Sequence, residues 1–198
     1  MSDEPRFEAR LLIPGGADPL TEVHTAPHDP REIGPAPTPP TVDLRAVVDG
    51  VDCKNGHFND PKAHFCQVCG IAMAQLTLVP RQGRRPSLGV LLFDDSSTYR
   101  LDADYVIGRD PQPGDARPIR LAYQVGGVSR QHVRVSLVGW TVFVTDLGSA
   151  NGTVLVAPGA TAERRLTPGE AVPIVAGTQV RMRGRWFRYE SHRSGVGS

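Results

Sequence analysis

The C-terminal half of this 198-residue chain predicts an all-β sandwich. Two observations carry that expectation. Short apolar or alternating runs recur between residues 88 and 190: 88–93 (LGVLLF), 99–101, 105–108 (YVIG), 119–122, 132–138 (HVRVSLV), 141–145 (TVFVT), 153–156 (TVLV), 179–183 (QVRMR) and 186–189 (WFRY). Gly, Pro, Asp and Asn punctuate these runs, and no stretch holds a 3.6-residue apolar period beyond a single turn. HVRVSLV and QVRMR alternate apolar with polar residues, as strands with one buried face do. No internal repeat is evident.

The rest of the chain divides by composition. Hydrophobic residues make up 39% of the whole, low for a compact globule, so part of the chain is expected outside a core. Residues 1–52 hold nine of the 18 prolines, with ten acidic and four basic residues, a net charge of −6. Residues 53–198 carry 11 acidic and 18 basic residues, a net charge of +7. The run 34–40 (GPAPTPP) excludes helix and inner strand, because proline fixes φ and lacks a donor. Residues 1–52 are therefore expected to be a disordered, acidic, proline-rich segment, with 7–13 (FEARLLI) as a short strand or docking motif at most. A cysteine-bearing knuckle is expected at 53–75 and a linker at 76–87, with Arg81, Arg84 and Arg85 as a basic knot. The sandwich is placed at 88–190 and a flexible tail at 191–198.

No apolar run approaches the roughly 20 residues that cross a bilayer. The start, MSDEPRFEAR, is acidic and polar rather than a signal peptide. The expectation is a cytoplasmic protein with no membrane partner and three reduced cysteines, an odd number that argues against a disulfide framework. Twenty arginines against two lysines, with abundant Ala, Gly and Pro, point to a high-GC bacterial genome.

Cys53, His57, Cys66 and Cys69 have the spacing C-x3-H-x8-C-x2-C. Three thiolates and an imidazole so arranged can close a tetrahedral zinc site with no open coordination position, which favours a structural Zn2+ over a catalytic one. Gly56 and Gly70 stand where tight turns need freedom from a Cβ. Some 20 residues with so few apolar groups need a metal to fold. The texts CKNGH and FCQVCG resemble short zinc-ribbon knuckles. Three alternatives stay open: His64 as the fourth ligand, a redox-active Cys66/Cys69 pair, and three unrelated thiols. Lys54 and Lys62 are the segment's only basic residues, flanked by Asp52 and Asp60, which argues against nucleic acid.

Within the β region three short motifs follow in order: Gly108-Arg109, Ser129-Arg130-Gln131-His132, and Asn151-Gly152-Thr153 after Asp146-Leu147-Gly148-Ser149. Each sits where a predicted strand meets a loop. Two guanidinium groups, a hydroxyl donor and a carboxamide suit a dianion flanked by peptide backbone. Read singly, Arg109 is a surface arginine pairing with Asp110 or Asp115, Ser129 a turn cap, and Asn151-Gly152 a hairpin turn.

Taken in order, YVIGR, SRQH and DLGSANGT resemble the forkhead-associated (FHA) domain over residues 88–189. The resemblance implies an eleven-stranded β-sandwich that binds phosphothreonine in an extended peptide. It implies that Arg109 and Ser129 touch the phosphate, that Arg130 adds charge, and that Asn151 holds the ligand backbone. His132 then braces its loop and Gly152 makes the turn, with Gly108 as support. Two departures stand out. The Arg109–Ser129 gap is long and carries Pro111, Pro113 and Pro118, and Ala150 occupies a position that is often polar in the family. Arg181, Arg183, Arg185 and Arg188 read as one polar sheet face, with a secondary anion site as the alternative.

Ser129 and His132 lack the carboxylate and nucleophile elbow of a hydrolase, and no Walker loop, HExxH or dinucleotide fingerprint appears. The expected function is therefore non-enzymatic: an adaptor or regulator in Ser/Thr kinase signalling that captures a phosphothreonine-containing protein, a kinase or its substrate. The rival is a zinc-dependent nucleic-acid-binding or transcription-related protein with a regulatory FHA module. Thr38 and Thr41, in the proline-rich stretch, are candidates for a phosphorylated tail that folds back onto the module.

Overall fold

The computed structural model describes residues 46–73, 78–121 and 127–191, all within the second of the chain's two units, Val42–Ser198. The segments 1–45 and 192–198, with the docking motif at 7–13 and the threonines Thr38 and Thr41, lie outside the described residues.

Fourteen strands run through the described residues: β1 (Val47–Asp52), β2 (Phe58–Asn59), β3 (Arg81–Arg84), β4 (Val90–Phe93), β5 (Thr98–Arg100), β6 (Tyr105–Gly108), β7 (Arg117–Arg120), β8 (Val133–Val138), β9 (Thr141–Asp146), β10 (Val154–Val156), β11 (Glu163–Arg165), β12 (Ala171–Ile174), β13 (Gln179–Met182) and β14 (Arg185–Glu190). Eleven of them make two sheets, ordered β11-β10-β13-β14-β4-β5 and β12-β9-β8-β6-β7. Among the described residues only β6 and β7 pair in parallel.

The alternation read in the sequence sets which face is buried. Along β8, Val133, Val135 and Leu137 point inward, and along β9 Val142 and Val144 do. They share one core with Leu91, Phe93, Leu155, Val180 and Phe187 of the other sheet, so the fold is the expected sandwich. The sequence reading missed β11 and β12. β12 contains Pro173, which argues against an inner strand, and it lies at a sheet edge, where a missing donor is tolerated. β7, which carries Pro118, lies at the opposite edge of the same sheet.

Two boundaries need correction. Residues 47–52, assigned to the disordered segment, form β1, and residues 81–84, assigned to the linker, form β3. The two pair from Val47↔Arg84 to Gly50↔Arg81, and β2 completes a three-stranded sheet. This small sheet is fastened to the sandwich. Arg85 is buried, and its Nη1 donates to the Leu137 and Gly139 carbonyls at 3.0 and 2.9 Å. Trp140 donates from Nε1 to the Asp49 carbonyl at 2.8 Å, and its ring lies 5.5 Å from that of Phe58. Arg81 lies over the Phe58 ring at 4.5 Å and pairs with Asp52. Of the basic knot, Arg85 fastens the small sheet to the sandwich and Arg81 braces the small sheet itself.

Candidate functional site

Two sites emerge, one in the small sheet and one at the loop end of the sandwich. In the first, the donor atoms of Cys53, His57, Cys66 and Cys69 all lie within 4.8 Å of one another, so the four can hold a metal ion. Cys53 Sγ is 3.5 Å from His57 Nδ1 and 3.9 Å from Cys69 Sγ, and Cys66 Sγ is 3.6 Å from His57 Nδ1. These separations are close to those between ligands that sit about 2.0–2.3 Å from a shared ion in a closed N/S site. His64 is exposed and outside the group, so His57 is the fourth member.

The backbone builds two matching turns. Gly56 N–H donates to the Cys53 carbonyl at 2.9 Å, and Gly70 N–H to the Cys66 carbonyl at 3.1 Å; both glycines have positive φ, 73° and 77°. Cys66 Sγ accepts from the Val68 and Cys69 N–H groups and from Asn59 Nδ2. Burial works against its ionisation, but the donors outweigh it, and the Cys66 thiol is lowered to about 6. Burial pushes the Cys53 thiol up. The sequence reading missed Asn59, which is fully buried. It donates to the His57 carbonyl and accepts from Gln67 N–H, tying one turn to the other. Nothing in its local sequence distinguishes it from a loop asparagine.

The second site gathers the ends of β6, β8 and β9. Gly108 closes β6 because no side chain fits there. A Cβ would lie 2.0 Å from the Arg130 carbonyl oxygen and 2.8 Å from that of Ser129. The chain at 129–130 is hung on the next two residues, with Arg109 N–H donating to the Ser129 carbonyl at 3.0 Å and Asp110 N–H to the Arg130 carbonyl at 3.1 Å. Arg109 and Arg130 are exposed, and neither guanidinium has a hydrogen-bond or ion-pair partner among the described residues. The acids within sequence reach of Arg109 are engaged elsewhere: Asp110 with Arg120 at 2.8 Å and Asp115 with Arg134 at 2.6 Å.

Ser129 Oγ accepts from the Ala150 N–H at 3.0 Å, which leaves its own proton to be donated outward. A cleft of 480 Å³ opens beside it, lined by Asp110, Gln112, Ser129, Arg130 and Gln131. Asn151 Nδ2 donates to the Gly127 carbonyl at 2.7 Å, and its Oδ1 accepts from Arg183 at 3.1 Å. Residues 122–126 lie outside the described residues. The rest of the long Arg109–Ser129 gap includes β7, the edge strand that pairs with β6.

Residues 105–183 match the family model of the FHA domain, a span containing Gly108, Arg109, Ser129, Arg130, Asn151 and Gly152. The chain carries an FHA domain. No curated protein matches it. Among solved structures it is similar to an FHA domain from a study of phosphothreonine-dependent FHA interactions, at 26% identity and TM-score 0.39, covering 52% of this chain and 95% of that one. It is also similar to Mycobacterium tuberculosis EmbR in complex with a low-affinity phosphopeptide, at 22% identity and TM-score 0.43, covering 58% and 27%. A third is the FHA domain of the CT664 protein from Chlamydia trachomatis, at 23% identity and TM-score 0.40, covering 52% and 95%.

In this FHA domain the loops are braced from beneath. His132 is fully buried; its Nδ1 accepts from the Ser129 N–H at 3.0 Å, and its Nε2 lies 3.3 Å from the Gly152 carbonyl. The imidazole is therefore neutral with its proton on Nε2, tying the 129 loop to the 152 turn. Gly152 makes that turn with φ of 75°. Asp146, also fully buried, accepts from Ser149 N–H, Ser149 Oγ and Thr153 Oγ1. Burial favours its neutral form, but the Thr153 and Ser149 donors prevail and hold the carboxyl below its usual range.

Burial pushes the His132 imidazole below the usual histidine range, against the pull of the Gly152 carbonyl and Asp146. Near neutral pH the imidazole is neutral in both states. As pH falls below the unfolded value of about 6.5, the unfolded chain takes up the proton first, so stability drops. His132→Ala is expected to cost about 1–2 kcal/mol at pH 7.5 through the lost hydrogen bonds. It should also flatten the fall in melting temperature between about pH 7 and pH 5.5, where the unfolded histidine titrates. An equally steep fall in the variant would assign the acid sensitivity to another group.

Proposed function

We propose that this chain is a phosphothreonine-reading adaptor or regulator in Ser/Thr kinase signalling, its ligand a phosphorylated kinase or kinase substrate. The observation that carries this reading is the pair of exposed guanidinium groups on Arg109 and Arg130, without a partner among the described residues, in the same loop region as a Ser129 hydroxyl whose proton is free to donate. Two full cations and a neutral donor next to an open cleft suit a dianionic phosphate. Asn151 keeps a second amide proton for the ligand backbone, while Gly108, His132 and Gly152 position the loops. The reading takes the whole chain as a binding protein rather than an enzyme, and the cytoplasm as its place of action.

The test is calorimetry of the full chain with phosphothreonine, phosphoserine and unphosphorylated versions of one peptide library. Charge-assisted hydrogen bonds are worth about 1.5–3 kcal/mol each, so Arg109→Ala or Ser129→Ala should weaken phosphothreonine binding roughly ten- to a hundredfold. Asn151→Ala should weaken phosphothreonine and phosphoserine peptides alike, because it acts on backbone. Binding that ignores the phosphate, or an Arg109→Ala variant equal to the wild type, would refute the reading.

The metal proposed for Cys53, His57, Cys66 and Cys69 is a structural Zn2+. Three sulfur donors and one nitrogen within 4.8 Å of one another suit that ion, and four protein ligands leave it no position for substrate.

A further inference from the structure

Two more arginines stand at the loop end of the FHA domain. Arg165 is the last residue of β11, and Arg183 lies in the turn from β13 to β14. Both are exposed, and neither has a carboxylate partner among the described residues. Most other arginines of the domain are neutralised: Arg117 by Asp102, Arg120 by Asp110, Arg134 by Asp104 and Asp115, Arg181 by Glu163, and Arg185 by Asp94 and Asp95. Arg100, on the edge strand β5, is the exception away from the loops. Positive charge without a counter-charge is thus concentrated where β6, β8 and β9 end.

Arg165 and Arg183 converge on one residue. Arg165 Nη2 donates to the Asn151 backbone carbonyl at 2.5 Å, and Arg183 Nη1 to the Asn151 Oδ1 at 3.1 Å. Both side chains pack against glycines. A Cβ on Gly127 would lie 2.9 Å from Arg183 Cδ, and one on Gly152 would lie 2.4 Å from Arg165 Nη2. Each guanidinium has five donors, so its bond to Asn151 fixes its position and leaves further donors for a ligand. Fixing a long side chain before binding removes the ordering entropy that makes most surface ion pairs weak.

We propose that Arg165 and Arg183 form a second anion subsite, so that the preferred ligand carries a carboxylate or a second phosphate at a fixed spacing from the phosphothreonine. The inference rests on the phosphothreonine reading above and adds to it a rule for ligand choice. Asn151 is the hinge of the arrangement: it links the loop that meets Ser129 to the two arginines that read the second charge.

The experiment walks a single glutamate, and separately a single phosphoserine, through an otherwise neutral phosphothreonine peptide, with calorimetry on the full chain. Glutamate at one or two adjacent positions should raise affinity roughly fivefold, and phosphoserine there should raise it more, since it carries nearly two charges. The readout is the acidic-to-neutral affinity ratio within each variant. Arg183→Ala and Arg165→Ala should each bring that ratio toward one, and Arg183→Glu should transfer the preference to a lysine-bearing peptide. If the arginines only buttress Asn151, both peptides weaken equally and the ratio stays at its wild-type value, which overturns the proposal. A wild-type protein that binds phosphothreonine but is indifferent to every added charge overturns it as well. Absence of any phosphate-dependent binding would instead bring down the reading beneath it.

Discussion

Cys66→Ser is expected to abolish metal binding and unfold the three-stranded sheet. The buried apolar side chains of that sheet's core are Val51, Cys53, Cys66 and Met73, far too few to offset chain entropy. A structural zinc contributes on the order of 10–16 kcal/mol in units of this size, so loss of the zinc proposed here would decide whether residues 47–73 fold at all. The effect should spread. β3 leads directly into Arg85, which needs its burial and its two carbonyl partners, and Trp140 loses the Asp49 carbonyl and the Phe58 ring. The FHA domain should stay folded but lose about 1–3 kcal/mol, seen as a melting temperature lower by several degrees. Elemental analysis, thiol titration and thermal melts with and without a strong chelator test this. A metal-free protein with unchanged melting and three freely titrating thiols would refute both the site and its coupling.

Gly108→Ala is expected to disable the loops proposed to hold the phosphate altogether. The atoms a Cβ would meet are backbone carbonyl oxygens, at 2.0 Å for Arg130 and 2.8 Å for Ser129, and backbone cannot swing aside as a side-chain tip can. Relief requires the 129–130 segment to move off β6, breaking the bonds it accepts from Arg109 and Asp110. That displaces Arg130 and Ser129 from Arg109 in one step. A stability loss of about 3 kcal/mol, the upper range for overpacking, is expected. Phosphopeptide affinity should fall by more than about a hundredfold, since several charge-assisted contacts are lost together. Gly114→Ala is the control, because a Cβ there meets nothing within 4 Å. Comparable losses in both variants would show that the close approach at Gly108 does not matter.

The sequence by itself determined the parts of this protein that are written locally. Alternation in HVRVSLV and QVRMR assigned the buried faces of β8 and β13, because a strand's side-chain period is two whatever its neighbours are. The spacing of Cys53, His57, Cys66 and Cys69 marked the donor set, since two tight turns bring such residues together with little help from elsewhere. The order of the Gly108-Arg109, Ser129–His132 and Asn151-Gly152 motifs marked the loop end of the sandwich. What depended on distant partners was decided only by the tertiary structure. β1 and β3 alternate poorly and lie far apart in sequence, and they became strands because each pairs with the other. Pro173 reads as a strand breaker until its strand is seen at a sheet edge. The choice of His57 over His64 depended on which imidazole the turns aim at the sulfurs. Arg183 reads as part of one polar sheet face, with a secondary anion site as the alternative, and nothing in the sequence singles out Arg165; that both meet Asn151 is a contact no local pattern encodes.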